Sequence, residues 1–172
     1  MDKVDVVNDN NEIIKTVSKD LAHAKGLLHR TVIAEMIDEH GNWTLARQAS
    51  DKQDKGQFVS ICGGHVEAGE TEEEALRREV QEEVGLENFS HKFVGRIIYN
   101  REVLGRKENH YFVVYEIDST DPIVLNGESV EYKKFTSKEL ITAMRDKPEE
   151  FGPPLRFIIN ELFRDRLHIK PR

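Results

Sequence analysis

Three glutamates with helical spacing are the residues of this chain best suited to chemistry. Glu79, Glu82 and Glu83 stand at positions i, i+3 and i+4, which places their side chains on one face of a helix. Like charges this close repel one another, and a bound divalent cation is the simplest compensation. Because hard carboxylate oxygens suit Mg²⁺ or Mn²⁺, we predict that these glutamates bind one of these ions.

The residues around these glutamates predict a short helix that must be held against a core. Thr71 followed three positions later by Glu74 is a capping-box pattern, and Gly85 is well placed to end the helix. Apolar residues recur at every fourth position and predict a buried stripe, formed by Leu76, Val80 and Val84. The helix should therefore have one apolar face for the core and one acidic face for a ligand.

The rest of the chain alternates between strand and helix patterns. Apolar runs between turn signals predict strands at residues 31–38, 43–48, 58–62, 92–103, 109–117 and 130–135. Helices are expected over 137–145, capped by Ser137, and over 155–167. Residues 4–17 read as a hairpin, and 18–30 are ambiguous because Gly26 interrupts a helix that Ser18 would cap. We expect a single α/β (α+β) domain over 1–172, with 1–30 as an N-terminal extension and 31–172 as the core.

Composition narrows the possible partners and location. The 172 residues carry a net charge of −7, from 25 basic and 32 acidic side chains, which argues against nucleic acid or an anionic membrane surface as a partner. No apolar run approaches the roughly 20 residues of a membrane span. The single cysteine, Cys62, excludes an internal disulfide and suits a reducing compartment, so a cytoplasmic location is expected.

The segment from Gly64 to Leu86, which contains the three glutamates, matches a known motif at every fixed position. From Gly64 the chain follows G-x5-E-x7-R-E-U-x-E-E-x-G-U, where U is aliphatic. The matching residues are Gly64, Glu70, Arg78, Glu79, Val80, Glu82, Glu83, Gly85 and Leu86. This motif is the signature of the Nudix hydrolases, and the chain resembles that family. The order of strands and helices also resembles the Nudix α/β/α sandwich, with a mixed sheet and an N-terminal β-hairpin extension.

The resemblance implies a role for each matching residue. Glu79, Glu82 and Glu83 would be the catalytic and metal-binding carboxylates, and the carbonyl of Gly63 would complete the coordination of Mg²⁺ or Mn²⁺. The remaining motif residues would be structural: Gly64, Gly85 and a salt bridge between Glu70 and Arg78.

The implied activity is hydrolysis of a phosphoanhydride bond in a phosphorylated small molecule. The substrate would be a nucleoside di- or triphosphate or another X-linked diphosphate, attacked at phosphorus by water. The catalytic base varies in the family, and Glu83, Glu79, Glu128 and Glu131 are all candidates here. For Glu128 and Glu131, an ordinary surface position remains the alternative. The resemblance also makes a homodimer possible.

A second resemblance is to the branch of the family that includes isopentenyl diphosphate isomerase. It would make His23, His29, His65 and Glu108 metal or substrate contacts, although histidines in a polar segment are more often surface residues. The isomerase cysteine directly precedes the Gly-His pair, and that position is occupied here by Gly63.

Two further positions bear on the isomerase reading. Cys62 lies one residue too early, where we expect a small buried side chain, and His110 replaces an isomerase glutamate. We therefore predict an isomerase-like hydrolase. The alternatives are an isomerase and a catalytically silent nucleotide-binding regulatory module.

Overall fold

A mixed β-sheet runs through the centre of the computed structural model, which describes residues 2–170. Its strands are β1 (Lys3–Val7), β2 (Ile13–Ser18), β3 (His29–Ile37), β4 (Trp43–Gln48), β5 (Phe58–Val59), β6 (Cys62–His65), β7 (Ser90–Val103), β8 (Arg106–Asp118) and β9 (Ser129–Phe135). Strand β3 is parallel to β8 and antiparallel to β1, β4 and β6. The prediction of a mixed sheet is therefore confirmed, and β3 pairs directly with each of these four strands.

Four α-helices cover the two faces of this sheet: α1 (Lys19–Lys25), α2 (Glu72–Val84), α3 (Ser137–Asp146) and α4 (Pro153–Leu162). Side chains alternate along β3, so Val32 and Ala34 pack in the core beneath α2. Ile33 and Ile37 point the other way, into the core shared with α3 and α4. The predicted α/β/α sandwich is confirmed.

The N-terminal residues add a hairpin and a short helix to the sheet. Strands β1 and β2 pair antiparallel, and β1 lies beside the start of β3. The ambiguous segment after them is helical: the Ser18 side chain caps α1, and Gly26 ends it with φ of 63°. This early helix end allows β3 to begin at His29, before the predicted start at residue 31.

Two further predictions, for residues 58–62 and for the start of α3, are wrong for identifiable reasons. Residues 58–62 form two strands, because the chain leaves its pairing with β4 at Val59 and joins β3 at Cys62. Thr136 caps α3, since its hydroxyl accepts from the Glu139 N–H, whereas Ser137 donates to the Gly41 carbonyl.

The last helix also ends earlier than predicted. Helix α4 stops at Leu162, where Phe163 leaves helical geometry and packs its ring against Trp43 with centroids 4.9 Å apart. Within residues 2–170, no helix is long and apolar enough to cross a membrane.

Candidate active site

Helix α2 holds the three glutamates of the motif at the wall of a cavity. The predicted capping box is present, with Thr71 and Glu74 each bonding the backbone N–H of the other. On its inner side the helix buries the predicted stripe of Leu76, Val80 and Val84. This apolar anchor turns Glu79, Glu82 and Glu83 toward a cavity of about 520 Å³.

Arg78 joins the loop before α2 to the helix itself. Its Nε and Nη2 donate to the two carboxylate oxygens of Glu70 at 2.9 and 2.8 Å, and Nη2 also donates to the His65 carbonyl at 3.0 Å. Burial would raise the pKa of Glu70, but the hydrogen bonds from Arg78 and from the Glu67 N–H, together with the charge of Arg78, outweigh it and hold that pKa below its usual value. This two-point contact fits the structural role that the motif implies for the pair.

The same arginine also orients a carboxylate of the site. Arg78 Nη1 donates to Glu79 Oε1 at 2.6 Å. The guanidinium therefore bonds both Glu70, in the loop before α2, and Glu79, one of the candidate metal ligands. A Cβ at Gly64 would overlap the Glu79 carboxylate, which explains why the motif has glycine at this position. Glu79 is thus fixed from two directions.

The carboxylates of α2 carry more negative charge than Arg78, which pairs with Glu79 and Glu82, can compensate. Burial, followed by the charges of Glu79 and Glu128, raises the pKa of Glu83 to about 8. Burial also raises the pKa of Glu79, although Arg78 opposes it. Glu82 is the exposed member of the set, with 59% of its side chain accessible. A cation bound among these oxygens would relieve both burial and repulsion, so the donor set fits Mg²⁺ or Mn²⁺.

Gly63 lies at the edge of this carboxylate group. Its backbone N–H faces Glu83 Oε2 at 3.4 Å, and both residues line the cavity. The backbone of β6 is therefore adjacent to the candidate ligands, and metal coordination by the Gly63 carbonyl stays a prediction.

The two candidate bases outside the motif lie in different places. Glu128 lines the cavity, pairs with Lys52 at 3.3 Å, and is close enough to raise the pKa of Glu79 and Glu83 by its charge. Glu131 instead pairs with Arg47 on the neighbouring strand and is not among the cavity-lining residues. The geometry brings Glu128 to the site and leaves Glu131 outside it.

Basic and apolar side chains complete the cavity wall. Lys19, Lys52 and Arg106 face the space that the carboxylates enclose, and an apolar part is formed by Ile33, Phe112 and Leu155. A cavity with carboxylates on one side and cations on another can accept a phosphorylated molecule whose charge is shared between a metal ion and basic side chains.

The histidines of the second resemblance also come together. His23, His29 and His65 are joined by His110, and one ligand nitrogen of each lies within 4.8 Å of all the others. Glu108 is not part of this group, since its Oε2 accepts from Arg101 Nε at 2.6 Å. Burial is the main cause that lowers the pKa of all four imidazoles.

Two residues of this region were not identified from the sequence. His110 had been noted only as a replacement for a glutamate, and Arg101, which bonds both Glu108 and Asp54, had not been noted at all. Pairing of His29 with His110 across β3 and β8 brings His110 to the cluster.

Cys62 is buried, with 2% of its surface exposed, as its position in the strand predicted. Burial, and after it the charges of Glu83 and Glu79, raises the pKa of the thiol well above its usual value. The thiol therefore stays protonated and is a poor proton-transfer group at neutral pH.

Comparison with known proteins identifies the family of this chain. A family model described as the NUDIX domain matches residues 27–155. A Nudix hydrolase of Listeria innocua, described as uncharacterized, is 28% identical over 165 residues, covering 95% of this chain and 94% of that protein. A protein of Aromatoleum aromaticum named isopentenyl-diphosphate Delta-isomerase 2 is 26% identical over 155 residues, covering 88% of this chain and 81% of that protein.

A solved structure shows the same fold. The crystal structure of DR0079 from Deinococcus radiodurans superposes with a TM-score of 0.73 at 21% sequence identity, covering 92% of this chain and 98% of that one. The chain belongs to the Nudix family. Its class is that of the Nudix pyrophosphohydrolases, enzymes that generally use Mg²⁺ or Mn²⁺ to hydrolyse a pyrophosphate linkage. The division of the chain at residues 30 and 31 stays a prediction.

Proposed function

We propose that this protein is a Mg²⁺-dependent hydrolase that cleaves the phosphoanhydride bond of a nucleoside di- or triphosphate, or of another X-linked diphosphate. The observation that carries the proposal is the group of three α2 carboxylates at the wall of one cavity, with a basic rim that includes Lys19, Lys52 and Arg106. A diphosphate brings negative charge to a negative wall, so a cation is needed between them.

Glu82 and Glu83 are assigned to Mg²⁺ in this proposal, together with Glu79 and the Gly63 carbonyl. When bound, the ion supplies charge stabilisation at the phosphoryl oxygens and lowers the pKa of a coordinated water. Arg78 holds the Glu79 carboxylate in place, while the basic rim receives phosphate oxygens that the metal does not contact.

Three carboxylates remain candidates for the base that orients or deprotonates the attacking water. Glu83 and Glu79 lie on α2, and Glu128 faces them from the loop before β9. Glu131 is the weakest candidate, because its carboxylate is already paired with Arg47 outside the cavity lining.

A panel of nucleoside di- and triphosphates, sugar nucleotides and prenyl diphosphates, incubated with and without Mg²⁺, tests this function. We expect release of phosphate or pyrophosphate from at least one compound class, and only when Mg²⁺ or Mn²⁺ is present. Binding of these compounds without any turnover would instead support the silent regulatory module.

The isomerase is the second candidate, because two relatives of this chain carry that name. Isomerisation through a thiol would require Cys62, whose side chain is buried and whose pKa is raised. The variant Cys62→Ser should therefore keep its hydrolytic activity. Conversion of isopentenyl diphosphate to its isomer by the wild type, abolished in Cys62→Ser, would overturn the hydrolase proposal. A cytoplasmic location and a possible homodimer remain part of the proposal.

A further inference from the structure

The loop between β4 and β5, residues 49–57, borders the cavity and is bonded to the rest of the fold at two places. It contributes Lys52 and Asp54 to the cavity wall. The first contact is with Glu128, the candidate base before β9. The Ala49 N–H donates to the Glu128 carbonyl at 2.9 Å, and Lys52 Nζ lies 3.3 Å from Glu128 Oε1.

The second contact joins Asp54 of this β4–β5 loop to Arg101 of β7. Arg101 Nη1 and Nη2 donate to the two carboxylate oxygens of Asp54 at 2.6 and 3.1 Å. Only 8% of the Asp54 side chain and 15% of the Arg101 side chain are exposed. The Asp54 N–H also donates to Gln48 Oε1 at 2.6 Å, so this residue is held by its backbone and its side chain. A bidentate contact of this kind fixes orientation as well as distance.

Arg101 is itself held in place by the neighbouring strand. It lies opposite Glu108 in the pair of β7 and β8, and its Nε donates to Glu108 Oε2 at 2.6 Å. Nε and both terminal nitrogens of Arg101 are thus bonded to protein carboxylates. Although Arg101 lines the cavity, this arrangement suits it to holding the loop rather than to receiving a phosphate.

The start of α4 adds a further contact to Asp54. A Cβ built at Gly152, the residue that precedes α4, would lie 3.5 Å from Asp54 Cγ. The N-terminal end of a helix favours a nearby negative charge, so the Asp54 carboxylate is stabilised from this direction as well. The buried carboxylate is therefore the anchor of the β4–β5 loop.

We propose that Arg101 is a positioning residue of the active site: through Asp54 it holds the β4–β5 loop at the cavity and so sets the position of Lys52. Its kinetic consequence rests on the proposed hydrolysis, whereas the holding of the loop does not. Lys52 lies two positions before Asp54 on the same loop and belongs to the basic rim of the cavity.

Loss of the Arg101 guanidinium should release this loop. The Asp54 carboxylate would be left buried without its partner, which is costly, and it regains hydrogen bonds to water by moving outward. Lys52 moves with it, away from the phosphate oxygens of the substrate and from its contact with Glu128.

Trypsin cleavage of the full-length chain measures whether the loop is held. Lys52 and Lys55 are the cleavage sites within the loop, and mass spectrometry of the fragments identifies them. We expect Arg101→Gln and Asp54→Asn to be cut there roughly 10–100-fold faster than the wild type, because cleavage follows the population of the opened loop. Asp54→Asn keeps the side-chain shape and leaves the bond between Arg101 and Glu108 in place, so it carries the test if Arg101→Gln does not fold.

Arg166→Gln is the matched control. Arg166 also donates two hydrogen bonds to one carboxylate, that of Glu116, but neither residue is among those that line the cavity. This variant should be cut in the β4–β5 loop at the wild-type rate and should keep the wild-type kcat/KM.

A double-mutant cycle separates positioning from a general loss of stability. On the best substrate of the panel, Arg101→Gln should lower kcat/KM by roughly 10–100-fold, the scale of misplacing a group at an active site. If Arg101 acts through the loop that carries Lys52, the Arg101→Gln, Lys52→Met double variant should be no worse than the poorer single variant.

Two results would overturn the positioning role. One is equal cleavage of the loop in the wild type, Arg101→Gln and Asp54→Asn. The other is a loss of kcat/KM in the double variant equal to the product of the two single losses. If the wild type turns over no compound of the panel, the hydrolase proposal fails, whereas faster loop cleavage in the two variants still supports Arg101 as the residue that holds the loop.

Discussion

The two groups of potential metal ligands in this molecule are built in opposite ways. The carboxylates of α2 come from five consecutive residues on one helix, and Glu82 among them is mostly exposed. The histidines come from four separate elements, and three of the four are buried. The first group offers hard oxygen donors with excess charge, and the second offers neutral nitrogen donors.

This difference teaches how one small fold can build two groups of potential ligands with different chemistry. A short motif on a helix sets a charged site that faces a cavity, whereas pairing across β3 assembles a neutral site inside the protein. Each prediction below changes one feature on which this contrast depends.

Among the variants outside the three glutamates, the largest effect is expected at the contact between Gly64 and Glu79. The variant Gly64→Ala places a methyl group where the Glu79 carboxylate lies, so the carboxylate must move. We expect kcat/KM to fall by roughly 10²–10³-fold, the scale of losing one preorganised group of an active site, with little loss of stability. Steady-state kinetics and urea unfolding measure the two effects.

A double-mutant cycle provides the control for this prediction. Gly64→Ala and Glu79→Ala remove the same carboxylate position, so the double variant should be no worse than the poorer single variant. Additive losses would show that Gly64 acts through something other than Glu79.

The next effect concerns a buried acid outside both groups. Glu35 is fully buried, accepts from Ser60 at 2.6 Å, and burial raises its pKa to about 8. The unfolded chain ionises near 4.5, so the folded state binds the extra proton between these values. Stability from this group is complete below pH 4.5 and is lost as pH rises through 8.

The variant Glu35→Gln should therefore flatten the pH profile of unfolding. By pH 9 it should be more stable than the wild type by on the order of a few kcal/mol, and near pH 4 the two should be similar. Urea unfolding from pH 4 to 9 measures this. Parallel profiles for the two proteins would show that burial does not raise the pKa of Glu35.

The smallest effect compares Arg78, which bonds the loop before α2 to the helix, with its neighbour Arg77. Arg78→Ala leaves Glu70 and Glu79 without their partner and should destabilise the fold by about 1–3 kcal/mol. Arg77 makes one exposed ion pair, with Glu73 at 3.3 Å, so Arg77→Ala should change stability by less than about 0.5 kcal/mol. Equal effects in thermal unfolding would remove the structural role assigned to Arg78.

The difference between a local motif on one helix and a group assembled by strand pairing explains how much the sequence could predict. Glu79, Glu82 and Glu83 were found together because helical spacing alone places them on one face. The mixed sheet and most elements followed from apolar periodicity, whereas the break between β5 and β6 did not, because it depends on which strand each segment pairs with.

The histidine group could be recognised only from the three-dimensional fold. His110 becomes its fourth member only through the register of β8 against β3, which no local pattern specifies. Likewise, Glu131 and Glu128 are close in sequence, yet only Glu128 lines the cavity. Bends and strand register decide such cases, and they are set by long-range packing.

The most direct test of the central claim combines Mg²⁺ binding with turnover in two variants of α2. Glu83→Gln keeps the shape of the side chain and removes a carboxylate from the site, whereas Glu73→Gln changes an exposed residue of the same helix. We expect Glu83→Gln to bind Mg²⁺ more weakly and to lose roughly 10²–10⁴-fold in kcat on the best substrate, while Glu73→Gln matches the wild type. A fully active Glu83→Gln variant with unchanged Mg²⁺ binding would contradict the account.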